Sequence, residues 1–185
     1  MSILKVARMG HPVLRVPAKP IDPSEITSPR IQQLIDNMFE TMNEYNGVGL
    51  AAPQVHERLR LFVAGFPPKE KNDEDEEPRV PLMTIINPEI TAIGNETVED
   101  WEGCLSIPEI RGRVTRAREI EVRAYDRRGR KVTLRARGFT ARVIQHEADH
   151  LDGVLFLDRM ASLETLTYLD EFNRYWGDDE DVPEE

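Results

Sequence analysis

Apolar residues recur every three or four positions between residues 28 and 45, which is the spacing of one face of an α-helix. The apolar positions are Ile31, Leu34, Ile35, Met38, Phe39 and Met42. Ser28 followed by Pro29 is typical of a helix N-cap and a first helical position, and Gly47 follows the last apolar residue of the pattern. The pattern therefore predicts a helix with one buried face over about residues 29–45.

Shorter segments show the alternation or the apolar runs that are typical of β-strands. They predict strands over residues 59–63, 83–93, 97–101, 119–125 and 131–136. The last two flank Asp126-Arg127-Arg128-Gly129, a turn sequence that predicts a hairpin. Residues 67–79 carry a run of charged residues between prolines, so we expect a solvated loop there.

Helical spacing returns near the C-terminal end. Residues 139–151 predict a second helix, with Gly153 just beyond it, and residues 163–176 predict a terminal helix. We expect one domain over residues 1–177 and a disordered acidic tail over 178–185. A helix, several antiparallel strands and then two helices is the element order of an α+β fold.

Composition argues against two classes of function. The 185 residues carry a net charge of −10, whereas a nucleic-acid surface needs a clustered positive field. Arginines do gather between Arg111 and Arg142, but acidic residues are interleaved with them, which favours a mixed-charge surface of strands. No apolar stretch has the length of a membrane span or a signal peptide. The single cysteine fits a reducing compartment, so we expect a cytoplasmic location.

The most informative chemical motif is His146-Glu147-Ala148-Asp149-His150. Residues four apart on a helix point in nearly the same direction, so both imidazoles can bind one ion. The intervening Glu147 can then reach a water molecule without being a ligand itself. The alternative is a helix with two surface histidines, but the apolar residues that flank the motif favour a buried face.

A hydrolytic ion needs a third protein ligand and one open position, and the sequence offers several candidates for that ligand. Phe156 stands where the metzincin pattern requires a third histidine, so that pattern fails. Glu164 and Glu171 are the downstream glutamates that a gluzincin would use. Cys104 is the remaining candidate, because thiolates bind such metals strongly, although a lone cysteine is more often a small buried apolar residue.

Three segments, in this order, resemble motifs of the peptide deformylase family. They are Gly47-Val48-Gly49-Leu50-Ala51-Ala52-Pro53-Gln54, Glu102-Gly103-Cys104-Leu105-Ser106 and Gln145-His146-Glu147-Ala148-Asp149-His150-Leu151. Pro12-Val13-Leu14-Arg15 is also similar, and the resemblance covers about residues 3–160. With the element order, it implies an α+β fold in which antiparallel sheets pack around a central metal-binding helix, with an N-terminal and a C-terminal helix.

The resemblance also implies the chemistry. It implies one divalent ion bound by Cys104, His146 and His150, with Glu147 as the general acid and base. The implied reaction removes the formyl group from the N-terminal formyl-methionine of new polypeptides and releases formate. The implied native ion is ferrous iron, with zinc, nickel or cobalt tolerated. The implied partner is the N-terminus of a nascent polypeptide, and the substrate would be met in association with the ribosome.

Further residues are assigned by the same resemblance. It implies that the side-chain amide of Gln54 and the backbone N–H of Leu105 donate to the oxyanion of the intermediate. Substrate binding is expected of Val48, Gly49, Arg111 and Val143. Val48 and Val143 have an ordinary alternative as core residues, and Arg111 as a solvated arginine. Gly49 has no such obvious alternative, and it allows a peptide backbone to approach closely.

Two other functions compete with this one. The first is a zincin-type peptidase that cleaves internal peptide bonds, and Phe156 and the Cys104 motif weigh against it. The second is a non-enzymatic role, with a structural ion or with no ion. A closed site of that kind needs a fourth protein ligand, and the sequence has no second cysteine to supply it.

Overall fold

A computed structural model describes residues 2–66 and 80–177. Its regular elements are α1 (Pro29–Glu44), β1 (Gly49–Ala51), β2 (Leu61–Ala64), β3 (Met83–Ala92), β4 (Thr97–Cys104), β5 (Ile107–Ala117), β6 (Glu119–Tyr125), β7 (Lys131–Arg137), α2 (Gly138–Leu151), β8 (Thr167–Tyr168) and α3 (Leu169–Tyr175). The strands form two antiparallel sheets, in the orders β1-β2-β3-β6-β7 and β4-β5-β8. The predicted α+β class is confirmed.

Most of the predicted elements are present. The helix α1 begins at Pro29, and the hydroxyl of its N-cap Ser28 accepts a hydrogen bond from the backbone N–H of Ile31 at 3.4 Å. The strands β2, β3, β4, β6 and β7 and the helix α2 lie where the hydrophobic pattern predicts them. The charged segment 67–79 and the tail 178–185 lie outside the described residues, so the predictions for them stay predictions.

The strand β5 and the C-terminal region differ from the prediction. The strand β5 was not predicted because two of its four buried positions are Gly112 and Arg116, and the apolar ones, Ile107 and Val114, lie far apart along it. The predicted helix over 163–176 is wrong at its start, because the helix α3 begins only at Leu169. Residues 167–168 instead pair with the edge of β5.

The strand β2 shows how the two long helices are placed. All four of its residues are buried. Leu61 and Val63 pack in one apolar cluster with α1, whereas Phe62 and Ala64 pack in another with α2. Since alternate side chains of a strand point to opposite faces, the larger sheet lies between the two helices. The helix α2 also contacts β5 of the smaller sheet, so it is the central element that both sheets enclose.

The turn between β4 and β5 directs one predicted site residue toward α2. Cys104 is the last residue of β4 and pairs with Ile107, so Leu105 and Ser106 form a two-residue turn. The register between the strands shifts between Gly103 and Cys104. This irregularity places the thiol inside the molecule, where Cys104 is buried. In the described ranges, no helix is long and apolar enough to cross a membrane.

Candidate metal centre and active site

Three side chains from β4 and α2 meet in the interior. Cys104, His146 and His150 are all buried, and their ligand atoms lie within 4.8 Å of one another. The Sγ of Cys104 lies 3.2 Å from the Nε2 of His150. The structure therefore brings together the three residues predicted as metal ligands. Of the alternative ligands, Glu164 is exposed and Glu171 pairs with Arg174.

The donor set fits a single divalent ion. A thiolate and two imidazoles suit zinc or ferrous iron and leave one coordination position for water or substrate. The Nδ1 of His146 contacts Glu102 at 2.9 Å, which leaves the Nε2 of this ring to face the other ligands. The Nδ1 of His150 and the Oε2 of Glu147 are buried without a hydrogen-bond partner in the described part of the chain.

The pKa values of the cluster are strongly perturbed. Burial alone would raise the pKa of the Cys104 thiol, but the nearby His150 and His146 outweigh it and hold that pKa well below its usual range. Burial alone would lower the pKa of His146, but its hydrogen bonds to Cys104 and Glu102 raise it well above its usual range. A metal cation that binds the thiolate and the imidazole would release the proton of the imidazole.

Glu102 supports the first histidine and is almost fully buried. Its carboxylate accepts two hydrogen bonds from Arg116, at 2.9 and 3.0 Å, and one from Arg142 at 2.8 Å. Burial opposes ionisation, but the bonds to His146 and Arg116 lower the pKa of Glu102 to about 2. An ionised carboxylate therefore fixes the orientation of the His146 ring.

The hydrogen-bond network also includes a second buried carboxylate, that of Asp149 in α2. Asp149 accepts a hydrogen bond from Arg116 at 2.6 Å and two from Arg159, at 3.1 and 2.7 Å. Arg142 also donates to the carbonyl oxygens of Val98 and Val114, both at 2.7 Å. These contacts correct the prediction of a mixed-charge surface only for Arg116 and Arg142, which are buried, because the other arginines of this stretch are exposed or partly exposed. Sequence reasoning missed the network because its members are far apart in the chain.

Glu147 lies against the backbone of β1. It is 4% exposed, and burial raises the pKa of its carboxyl to about 7. A Cβ atom added at Gly49 would lie 2.3 Å from the Oε1 of Glu147. Any side chain at position 49 would therefore displace this carboxylate. Gly49, a predicted substrate-binding residue, thus also gives Glu147 its space.

Gln54 reaches the metal cluster from the turn after β1. Its Oε1 accepts a hydrogen bond from the backbone N–H of Ala51 at 2.7 Å. This bond fixes the amide so that its Nε2 donates to the Oγ of Ser106 at 3.2 Å and lies 3.6 Å from the Sγ of Cys104. Leu105, the other predicted donor to an oxyanion, follows Cys104 directly. Both therefore lie beside the thiol.

A cavity of about 540 Å³ opens onto these residues. Its lining includes all four residues predicted to bind substrate, which are Val48, Gly49, Arg111 and Val143. The guanidinium of Arg111 lies over Gly103, where a Cβ atom would be 2.0 Å from its Nη1. Trp101 and Leu169 also line the cavity and were not predicted. A buried Cys/His/His cluster with a carboxylate beside a cavity is the arrangement typical of mononuclear metal-dependent hydrolases.

Comparisons with known proteins agree on one family. The model of the polypeptide deformylase family matches residues 3–166. Peptide deformylase 1 of Bordetella pertussis is 43% identical over 164 residues, which cover 88% of this chain and 90% of that protein. A peptide deformylase of Salinibacter ruber is 46% identical over 164 residues, or 86% of this chain and 82% of that protein.

Solved structures give the same result. A class I type b peptide deformylase from Acinetobacter baumannii, with Met-Ala-Ser bound, is 39% identical with a TM-score of 0.78, and the match covers 85% of this chain and 98% of that one. Peptide deformylase from Thermotoga maritima is 40% identical with a TM-score of 0.74, covering 86% and 99%. The chain belongs to the peptide deformylase family. It is a hydrolase that removes the formyl group from N-terminal formyl peptides.

Proposed function

We propose that Cys104, His146 and His150 hold the catalytic ion and that Glu147 moves the protons in deformylation. The observation that carries this assignment is the position of Glu147. Its carboxylate is buried next to the ligand cluster, lines the cavity and has one oxygen without a partner in the described residues. A bound divalent ion supplies Lewis-acid chemistry, because it lowers the pKa of water and polarises a carbonyl oxygen.

Glu147 is in place to act as base and then as acid. It takes a proton from the attacking water and delivers that proton to the leaving amine, which becomes the free N-terminus of the peptide. The formyl carbon leaves as formate. Because Glu147 is not a ligand in this assignment, its carboxylate can change protonation state while the ligand set stays intact.

Gln54 and Leu105 are proposed to stabilise the charge that develops on the formyl oxygen. The amide of Gln54 is oriented by Ala51, and its NH₂ group points to the side of Cys104. The backbone N–H of Leu105 lies in the turn that follows the same cysteine. Each donor of this kind typically contributes about 3 kcal/mol to transition-state stabilisation. An amide is suited to this role because it donates without titrating.

The peptide is proposed to lie along β1. This strand is at the edge of the larger sheet, and Val48 and Gly49 line the cavity there. An extended peptide can add to such an edge through main-chain hydrogen bonds. Val48 and Val143 then offer an apolar surface to the methionine side chain, and Arg111, which lies beside Gly103, also lines the cavity. The Acinetobacter baumannii relative has Met-Ala-Ser bound, which supports a peptide as the ligand of this cavity.

We also propose ferrous iron as the native ion, with zinc, nickel or cobalt as substitutes. The Cys/His/His donor set supports any of these ions, because thiolate and imidazole ligands bind several first-row divalent metals. Elemental analysis of the purified protein identifies the ion. A cytoplasmic location is proposed because a single unpaired cysteine suits a reducing compartment. The substrate is proposed to be a nascent chain, met in association with the ribosome.

A formate-release assay tests the function. Protein purified without oxygen should contain one divalent ion per chain and release formate from formyl-methionyl peptides. A chelator should stop release, and ferrous iron should restore it. A fully metallated sample that releases no formate would contradict the proposal. Cleavage of casein that a chelator abolishes would instead support the zincin-type peptidase.

A further inference from the structure

The segment after the family match forms part of the catalytic cavity. The family model ends at residue 166. Directly beyond it, β8 pairs with β5 through Tyr168 opposite Ile110 and Thr167 opposite Arg111. Leu169 follows this pair and lines the cavity that holds the metal cluster. One wall of the site is therefore built by residues that the family match does not cover.

Trp101 holds this segment in place. Its ring packs edge-to-face on Phe172 with 5.0 Å between centroids, and it lies 5.9 Å from the ring of Trp176. The guanidinium of Arg113 lies 5.1 Å from the centre of the Trp101 ring. Leu169, Phe172 and Trp176 are spaced by three and four residues, so they lie on one side of the C-terminal turn. Trp101 itself lines the cavity beside Leu169.

Leu169 lines both the catalytic cavity and a second cavity. The second cavity has a volume of about 580 Å³ and is lined by Glu109, Tyr168, Leu169, Asp170, Glu171 and Asn173. It shares Glu109 and Leu169 with the catalytic cavity, so the two spaces adjoin at these residues. Leu169 is partly exposed and Tyr168 is 66% exposed. Leu169 and Tyr168 thus offer apolar contact among the acidic and polar residues that line this second cavity.

We propose that Leu169, positioned by Trp101, is a specificity-determining residue that contacts the peptide residues after the methionine. The proposal rests on the proposed placement of the formyl group beside Cys104 and Glu147. With the methionine side chain against Val48 and Val143, the rest of the chain must leave through the open part of the cavity. On the β5 side, that exit passes Leu169. Apolar side chains in the second and third peptide positions then gain contact with it.

Steady-state kinetics on two substrates test this role. For formyl-Met-Leu-Leu, Leu169→Ala should raise KM about tenfold with little change in kcat, because apolar contact is lost on binding. For formyl-methionine amide, which ends before the proposed contact, both constants should match the wild type. Leu169→Gln, which keeps the volume of the side chain, should behave like Leu169→Ala. Leu169→Met should keep the wild-type KM. Leu163→Ala, at a 67% exposed position just before this segment, is the matched control.

Two results would overturn the inference. An unchanged KM for formyl-Met-Leu-Leu in both Leu169→Ala and Leu169→Gln would show that the residue makes no contact with the peptide. An equal rise in KM for both substrates would place its effect at the methionine end or in the fold. Failure of the wild-type enzyme to release formate from either substrate would refute the proposed function, and this inference with it.

Discussion

The carboxylate of Glu147 lies directly against the backbone of Gly49, so close that a Cβ atom at position 49 would overlap its Oε1. The edge strand β1 and the central helix α2 therefore fit together only if position 49 has no side chain. The same glycine lines the cavity where the peptide is proposed to pair. One residue thus sets both the position of the proposed base and the room for the substrate backbone.

Gly49→Ala is expected to lower kcat/KM by about a hundredfold, because a carboxylate displaced by about 1 Å loses its alignment with the reacting water. The bound metal should remain, since no ligand is moved directly. Formate release and metal content measure the two effects. Gly94→Ala is the control: it lies in a turn at φ +74° with open space around it, so it should cost stability and spare activity. Full activity in Gly49→Ala would contradict the assignment of Glu147.

Glu147→Gln is expected to lower kcat by about a thousandfold, since the amide keeps the shape of the side chain but cannot move a proton. Because Glu147 is not a proposed ligand, the variant should bind one metal ion per chain as the wild type does. Formate release from a metallated sample and elemental analysis check both statements. Glu44→Gln, on the exposed end of α1, should have wild-type activity. Loss of the metal together with activity would instead make Glu147 a ligand.

Glu102→Gln should lower both the stability of the fold and the affinity of the proposed metal centre. It removes the carboxylate that Arg116 and Arg142 share, and only Arg116 keeps a second buried carboxylate, that of Asp149. We expect this change to lower the free energy of unfolding by about 3 kcal/mol. The weaker hydrogen bond to His146 should lower metal affinity by about 10–100-fold. Denaturant unfolding and metal competition give the two values. Glu99→Gln, exposed on the same strand, is the control. A variant with unchanged stability and affinity would show that the network is not needed.

Asp158 should stabilise the fold near neutral pH and lose this effect in acid. Burial opposes its ionisation, but the hydrogen bonds from Arg15 and from the backbone N–H of Leu155 together outweigh it and lower the pKa of Asp158 below its usual range. A lowered folded-state pKa stabilises the fold above about pH 4 and loses this contribution as the pH falls through the folded-state value. Because the pair is partly exposed, the contribution should be about 1 kcal/mol or less.

Asp158→Asn in the presence of a chelator tests that sign. Wild type and variant should differ in the free energy of unfolding at pH 7 and converge as the pH is lowered below about 4. The chelator removes the pH dependence that metal binding itself would add. A difference that grows toward low pH would show that the sign is wrong.

The sequence predicts those parts of the fold where hydrophobic spacing and local motifs agree. The helix α2 and its histidine pair follow from such local spacing, and so do α1 and the hairpin of β6 and β7. The strand β5 does not, because Arg116 occupies an inward position and forms ion pairs that only the tertiary structure provides. The C-terminal helix is shorter than predicted because Thr167 and Tyr168 complete the edge of a sheet that the local pattern cannot reveal.

The same limit applies to the site. His146 and His150 are four residues apart and could be paired from the motif alone. Cys104 could be added only through the ordered resemblance, since a lone cysteine carries no signal of what it faces. Glu102, Arg116 and Arg142 form contacts between β4, β5 and α2, and no spacing along the chain reports them. Trp101 and Leu169 were not predicted to line the cavity either, because their positions there also depend on contacts between distant segments.

The turn after β4 has a consequence for how the enzyme matures. Its thiol and the two imidazoles come from segments that meet only when the smaller sheet has closed onto the central helix. With the proposed ligands, a chain that has formed α2 alone would offer only two donors. We therefore expect metal binding to be coupled to completion of the fold, so that the bound ion adds to the stability of the folded enzyme.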